Sequence, residues 1–460
     1  MSDSVRGERG GGRDGASAGA VWGSPPGKRG VFLLSRLVAS GGRKLRVRRL
    51  GGDRAGEMRL TRFLRNPAVS CEEMLAEAAE RTAERCRGRS VLAIQDTTVL
   101  RSQGGGGEYL HAVLAVDAED GAILGLIDGR FLVREGGRRG ERRTAPVEEK
   151  ESFRWLEGAD QAASVCAGAA GVTVIADRES DIFEAFALRP ERVDLLVRSA
   201  HDRSLEDGRA LFAAIDAVPV AGRAELDLPA KPGQSQRTAQ LEVRFQTVSL
   251  ARPKTGRRAG LPPSVAVTLV DLREIDPPAG VTPLHWRLLT THAVTSTAEA
   301  WAVAELYRGR WAIEQLFRTL KTKGFDIEDV PIEAPAPRNR LITAALIAAV
   351  HIQQLVHARD GGPGPLRPAS DAFAPEDLPL LEACCAQLEG KTQRQKNPHP
   401  KGSLAYAAWV CARLGGWTGY YGKPGPIVML EGWIEFQALK RGACLLTQYQ
   451  QAYQHDVSIR

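Results

Sequence analysis

Two short apolar runs each stop at an aspartate. Ser90-Val-Leu-Ala-Ile-Gln95 ends at Asp96, and Gly171-Val-Thr-Val-Ile-Ala176 ends at Asp177. Runs of this length and β-branched content predict buried strands. His111 to Val116 and Ile123 to Val133 predict two more strands, joined by the turn Asp117-Ala-Glu-Asp-Gly121. Glu148 to Gly168 and Ser180 to Leu188 have helical character, and Asp194-Leu-Leu-Val197 predicts a fifth strand that ends at Arg198. Three meandering strands, a helix, a strand, a helix and a strand describe an α/β chain with a mixed sheet flanked by helices. In such a sheet, acids at strand ends can share a site.

After Arg198 the pattern changes. Residues 205–290 predict a β-rich insertion, with alternation in Ala239-Gln-Leu-Glu-Val-Arg-Phe245 and a strong run in Val265-Ala-Val-Thr-Leu-Val270. Pro229 to Gly233 and Pro253 to Pro263 read as loops. A helical segment runs from Ser296 through Lys321, Pro335 and Pro337 mark a break, and a mainly helical region continues to the end. The expected organisation is therefore an atypical basic, Gly-rich segment over 1–60 and a helical lead-in over 61–90. The first part of the core covers 91–204, the β insertion 205–290, the second part of the core 291–350 and a helical region 351–460.

The segment from Tyr307 carries Arg310, Glu314, Arg318 and Lys321 at spacings of three, four, four and three. On one continuous helix, at about 100° per residue, these five fall within roughly 80° of one another. Leu306, Ile313, Leu316, Phe317 and Leu320 would bury another side. A solvated, salt-bridged face accounts for Glu314 between two arginines, but not for the two strand-end acids. Three carboxylates can hold two divalent ions about 3.5–4 Å apart, the arrangement used for phosphodiester displacement, and neighbouring cations would bind the flanking phosphates.

Charge agrees in location more than in total. With 62 Lys+Arg against 55 Asp+Glu the net charge is only +7. Yet Lys28, Arg29, Arg36, Arg43, Lys44, Arg46, Arg48 and Arg49 occur without an acid among them. A second stretch holds Lys231, Arg237, Arg244, Arg252, Lys254, Arg257 and Arg258, interrupted only by Glu242. Polyphosphate is the partner such stretches predict. The seven cysteines lack any Cys-x-x-Cys pair and the histidines supply no matching spacing, so reduced core thiols are expected and a structural zinc is not. The longest apolar run, Leu341 to Val350, is about half of a bilayer span, and no secretory segment is read at the start. A non-membrane, cytoplasmic protein is expected.

Taken together, Arg62-Phe-Leu-Arg-Asn-Pro67, Asp96-Thr-Thr98, Glu149-Lys-Glu-Ser152 with Trp155, Asp177-Arg-Glu179, Val197-Arg-Ser199 and Tyr307-x2-Arg310-x3-Glu314-x6-Lys321 carry a resemblance. From about Thr61 to Leu445 the chain resembles bacterial cut-and-paste DDE transposases of the insertion-sequence-four, Tn-five-like group. The resemblance implies an RNase H-like mixed sheet flanked by helices, interrupted by a β-rich insertion and followed by a helical C-terminal region. It implies Asp96, Asp177 and Glu314 as the catalytic, metal-binding triad, holding two Mg²⁺ ions with Mn²⁺ able to substitute. Tyr307, Arg310, Arg318 and Lys321 would contact the transposon-end backbone and Arg198 would add a DNA contact. Trp286, in His285-Trp-Arg-Leu-Leu289, would stack on a flipped base.

The implied reaction is hydrolysis at the transposon end, hairpin formation on the opposite strand, hairpin opening and strand transfer into target DNA. The implied partners are the terminal inverted repeats, target DNA and a second copy of the chain in a synaptic complex, with C-terminal residues in the dimer contact. The implied location is cytoplasmic, at the nucleoid. The start, Met1 to Gly56, departs from the compact helical end-reading domain usual in such proteins. Two alternatives follow: a catalytically silent DNA-binding relic or inhibitor, and an RNase H-like nuclease without strand transfer.

Overall fold

The computed structural model describes residues 33, 45–103, 106–134, 148, 150–228, 236–254, 260–322, 324–362, 364–420 and 422–457. Lys28, Arg29, Arg36, Arg43 and Lys44 of the first basic stretch, Lys231, Arg257 and Arg258 of the second, Glu149 and the Pro229 to Gly233 turn lie outside the described residues.

The first half lays down β1 (Ser90–Gln103), β2 (Gly106–Asp117), β3 (Ile123–Arg134), β4 (Gly171–Ala176) and β5 (Val193–Arg198). The 205–290 stretch adds β6 (Gly222–Leu228), β7 (Arg237–Ala251), β8 (Ser264–Ile275) and β9 (His285–Thr290). All nine belong to one sheet, in the order β3-β2-β1-β4-β5-β9-β8-β7-β6. β1, β2 and β3 form an antiparallel meander, and β1, β4 and β5 run parallel, which is the RNase H-like part. The β-rich stretch extends the same sheet, because β9 pairs antiparallel with β5 at Leu196↔Thr290, Val197↔Leu289 and Arg198↔Leu288.

The helices are α1 (Val47–Gly51), α2 (Arg54–Arg65), α3 (Cys71–Cys86), α4 (Arg154–Val165), α5 (Phe183–Ala187) and α6 (Leu211–Asp216). They continue with α7 (Thr297–Arg308), α8 (Trp311–Leu320), α9 (Pro335–Ala358), α10 (Leu378–Leu388), α11 (Leu404–Leu414) and α12 (Pro426–Val457). Sequence explains several starts. Ser70 with Glu73 and Ser296 with Glu299 form capping boxes at α3 and α7, and Pro335 opens α9 where its missing N–H costs nothing.

Alternation sorts the sheet into two faces. Leu92, Ile94, Ile175, Leu196 and Leu288 face one core, with Ile313, Leu316 and Leu320 of α8. Val91, Ala93, Val174, Leu195 and Val197 face the other, with Leu156, Ala159 and Ala162 of α4.

Four expectations are corrected. β1 does not stop at Asp96 but continues to Gln103, because β2 goes on pairing with it there. The helix expected over Ser180 to Leu188 is only α5, preceded by a 3-10 turn at Arg178–Ser180 in which the Asp177 side chain caps Glu179 N–H. The segment from Ser296 to Lys321 is two helices, not one. The apolar stretch at Leu341 lies within the 24-residue α9, which is long and apolar enough to cross a bilayer. However, 78% of its most apolar window is buried inside the fold, as in a core helix.

Candidate active site

The register of β1 and β4 places the two aspartates. Their parallel pairing ends at Ile94↔Ile175, so Asp96 and Asp177 each lie two residues beyond the last pair, at one level and on one face. β4 stops there while β1 runs on, which leaves Asp96 paired only on its β2 side, opposite Ala112. Both carboxylates therefore point to the face covered by α8.

The third acid arrives from that helix. α7 ends at Arg308 and α8 begins at Trp311. The joint is held by short-range bonds from Gly309 N–H to Leu306 C=O, Arg310 N–H to Tyr307 C=O and Ile313 N–H to Arg310 C=O. A Cβ on Gly309 would stand 2.7 Å from Leu92 Cδ1, so a side chain here would force Leu92 to shift. The joint thus rests directly on β1, and Arg310 projects between the acids. Its Nη1 donates to Asp96 Oδ2 at 3.0 Å, and its Nη2 donates to Glu314 Oε1. One guanidinium therefore joins an acid of the sheet to the acid of the helix.

The electrostatics agree with this convergence. Burial pushes the Asp96 carboxyl up to about 6, and the Asp177 and Glu314 carboxylates add to the rise; Arg310 and the Thr97 N–H, which donates to Asp96 Oδ1 at 2.7 Å, oppose it. Burial also raises the Tyr307 hydroxyl, and Asp177 adds to this against the pull of Arg310, Arg198 and Arg178. For Arg310 burial acts downward, but Tyr307, Asp96, Glu314 and Asp177 outweigh it and hold the guanidinium above its usual range.

The remaining residues singled out from sequence are distributed unequally. Tyr307 is buried and meets the Trp286 ring edge-on at a centroid distance of 5.4 Å. Arg198, at the end of β5, donates to His285 C=O at 2.9 Å and is half-buried beside Tyr307. Arg198, Trp286, Tyr307, Arg310 and Glu314 line one open cavity of ≈ 800 Å³ between the β6–β9 part of the sheet and the α7–α8 joint. Arg318 is exposed, and Lys321, past the end of α8, pairs with Glu328 at 2.7 Å. The single-helix wheel therefore does not hold: the break before Arg310 and the end at Leu320 divide those five residues among three pieces of backbone. In the second basic stretch, Arg237 is paired with Glu274 and Arg244 with Glu242 at 3.2 Å, so these two charges are balanced within the sheet.

Residues not foreseen support the site. Asp181 is buried and accepts from the N–H groups of Ala200 and His201 at 2.7 and 3.1 Å and from Arg203 Nε at 2.9 Å, which pins the segment after Arg198. Its partners lie about twenty residues away, so no local spacing announces them. Trp311, 42% exposed, stands at the cavity mouth beside Arg310. Arg154 is the first residue of α4, and its partners come from distant strands and turns, so no local spacing announces it either.

Residues 88–350, more than half of the chain, match the family described as transposase DDE domain. The chain belongs to that family. The DDE domain so defined begins two residues before β1 and ends within α9, and it includes Asp96, Asp177 and Glu314 together with β6–β9. Among the described residues of this DDE transposase no three acidic, imidazole or thiol groups form a ready metal cluster. The donor chemistry nevertheless suits a hard divalent ion, since all three groups are carboxylates. In addition, a cation, the Arg310 guanidinium, already bridges two of them.

Proposed function

We propose that the chain is a cut-and-paste DNA transposase of the insertion-sequence-four group, in which Asp96, Asp177 and Glu314 hold two Mg²⁺ ions, or Mn²⁺ in their place. The observation that carries this reading is the Arg310 bridge from Asp96 to Glu314 beside Asp177 in the sheet register. When bound, the ions supply activation of water or a 3′-hydroxyl and stabilisation of the leaving oxygen.

The chain's own groups do the rest. Arg310, together with Arg198, Arg318, Lys321 and the Tyr307 hydroxyl, would bind the DNA backbone phosphates on either side of the site. Trp286, on the wall of the cavity, offers a π-face to an extrahelical base, which a strand needs if it is to fold back into a hairpin. Hydrolysis at the element's end, hairpin formation, hairpin opening and strand transfer then use one site in succession. Residues 1–60 serve end recognition and 205–290 act as the hairpin-supporting insertion. Residues 351–460 serve dimer contact in the synaptic complex at the nucleoid, supported by the exposed Leu445, Leu446 and Tyr449 on α12.

The test uses a duplex carrying the element's own terminal repeat, a second target duplex and Mg²⁺. This reading expects a 3′-hydroxyl nick, a hairpin and inserted product in that order. A nick with neither hairpin nor insertion would assign a nuclease instead, and end binding with no cleavage a silent relic.

A further inference from the structure

Behind the aspartates, on the opposite face of the sheet, lies a buried polar chain that the reaction above does not use. Arg154 is only 4% exposed, and its guanidinium is enclosed by named partners. Nε donates to Thr97 Oγ1 at 3.1 Å, Nη2 donates to Glu179 Oε2 at 2.6 Å, and Nη1 donates to Glu151 C=O at 2.9 Å and Glu151 Oε1 at 3.2 Å. Its Cζ lies 4.8 Å from the Trp155 ring centroid, and Arg134 holds the same Glu151 through two bonds of 2.7 Å.

The chain continues from Thr97. Because arginine only donates, the Thr97 hydroxyl accepts from Arg154 and has its own hydrogen for His111 Nδ1, 2.9 Å away. His111 Nε2–H then faces Gln95 Oε1 at 3.2 Å, and Gln95 Nε2 donates to Trp155 C=O at 3.2 Å. His111 and Gln95 are both buried, and burial, with Arg154 and Arg130 nearby, keeps the imidazole neutral, as this tautomer requires. Each link has a donor and an acceptor, so the chain is rigid rather than frustrated.

The sequence positions of these partners give the network its consequence. Thr97 follows Asp96, and Gln95 precedes it; Glu179 lies two residues after Asp177, and its own N–H donates to Asp177 Oδ1 at 2.9 Å. β4 ends at Ala176, so no ladder bond ties β1 to β4 at the level of the aspartates. We propose that Arg154 is the positioning residue that replaces that missing ladder, clamping Thr97 on one strand to Glu179 beyond the other and so setting the separation of the Asp96 and Asp177 carboxylates. This rests on the reading of those carboxylates as metal ligands, and it assigns Arg154 an outer-shell role of the kind that orients ligands without touching metal.

The test titrates Mn²⁺ into the full chain without DNA, followed by electron paramagnetic resonance, and separately measures Mg²⁺-dependent cleavage. Arg154→Met keeps the packing over Trp155 and leaves Glu179, 54% exposed, able to hydrate. It should weaken Mn²⁺ binding by about tenfold to a hundredfold and raise the half-saturating Mg²⁺ by a similar factor. Cleavage at saturating metal and DNA binding should recover. Arg154→Lys should resemble Arg154→Met, since one ammonium cannot span Thr97, Glu151 and Glu179 together. Thr97→Val, which leaves the Arg154–Glu179 pair in place, should shift metal binding in the same direction. Unchanged metal affinity in Arg154→Met and Thr97→Val, with only a lower melting temperature, would assign these residues to stability alone and overturn the proposal, as would full recovery by lysine. Asp96→Asn is the control: if it too leaves Mn²⁺ binding unchanged, the metal-ligand reading fails and takes this one with it.

Discussion

Asp96 and Asp177 stand at one level on neighbouring parallel strands, each two residues past the pair Ile94↔Ile175. This relationship comes from backbone register, so it does not depend on either side chain's rotamer. Glu314 is added to it by the contact of the α7–α8 joint with β1.

That contact makes Gly309 a sensitive position. Gly309→Val puts branched carbon where even a Cβ would meet Leu92 at 2.7 Å. Overpacking of this kind costs about 1–3 kcal/mol, and here it lifts Arg310 and Glu314 away from Asp96. Cleavage should fall at least tenfold, and Leu92→Ala in the same chain should restore part of it. Equal rates in the single and double variants would show that the joint does not set the site.

Arg310 bridges Asp96 and Glu314, so on the proposed reading its removal should expose the carboxylates to metal. Without divalent ions Arg310→Ala should lose about 2 kcal/mol, because two partly buried carboxylates are left unpaired. The rise in melting temperature on adding Mg²⁺ should be larger in Arg310→Ala than in the parent chain. A smaller rise would mean that Arg310 helps the metal instead of standing in for it.

How much of this was legible in sequence follows from the range of each interaction. The strands, the acids and the mixed sheet were readable because period-2 alternation and strand length are local. The break at Gly309 was not, since helix-forming residues flank it, and the strand residue its backbone packs against, Leu92, is more than two hundred positions away. The end of β1 was misread at Asp96 because a charged residue ordinarily closes a buried run, whereas here β2 carries the strand onward. The Arg154 network escaped for the same reason as Asp181: its partners are joined by folding, not by spacing.

His351 gives a pH signature. It is partly exposed and stacks on Trp433, ring centroids 6.1 Å apart; desolvation of the ring, with Arg85 and Arg81 nearby, lowers its pKa from the usual 6.5 to about 3. A histidine held neutral in the fold takes up its proton on unfolding. The stability it permits is therefore complete above pH 6.5 and is lost as pH falls from 6.5 toward 3. Denaturant unfolding at pH 7.5 and 5.0 should show that His351→Phe removes about 2 kcal/mol of the acid-induced loss. An unchanged loss would place the acid sensitivity elsewhere.

Trp286 separates two steps of the proposed reaction. Because stacking on one base is worth about 1–3 kcal/mol, Trp286→Ala should slow hairpin formation at least fivefold and leave the first nick within about twofold. Gel-resolved time courses distinguish the products. Equal slowing of both steps would make the Trp286–Tyr307 contact a structural one.

The most direct measurement is Mg²⁺-dependent cleavage of the element's own ends by Asp96→Asn, Asp177→Asn and Glu314→Gln, with end binding followed in parallel. Each substitution should reduce cleavage at least about a thousandfold, the loss of several kcal/mol of transition-state stabilisation, while binding persists. Cleavage within tenfold of the parent rate in any one of the three would contradict a shared metal site built from these carboxylates.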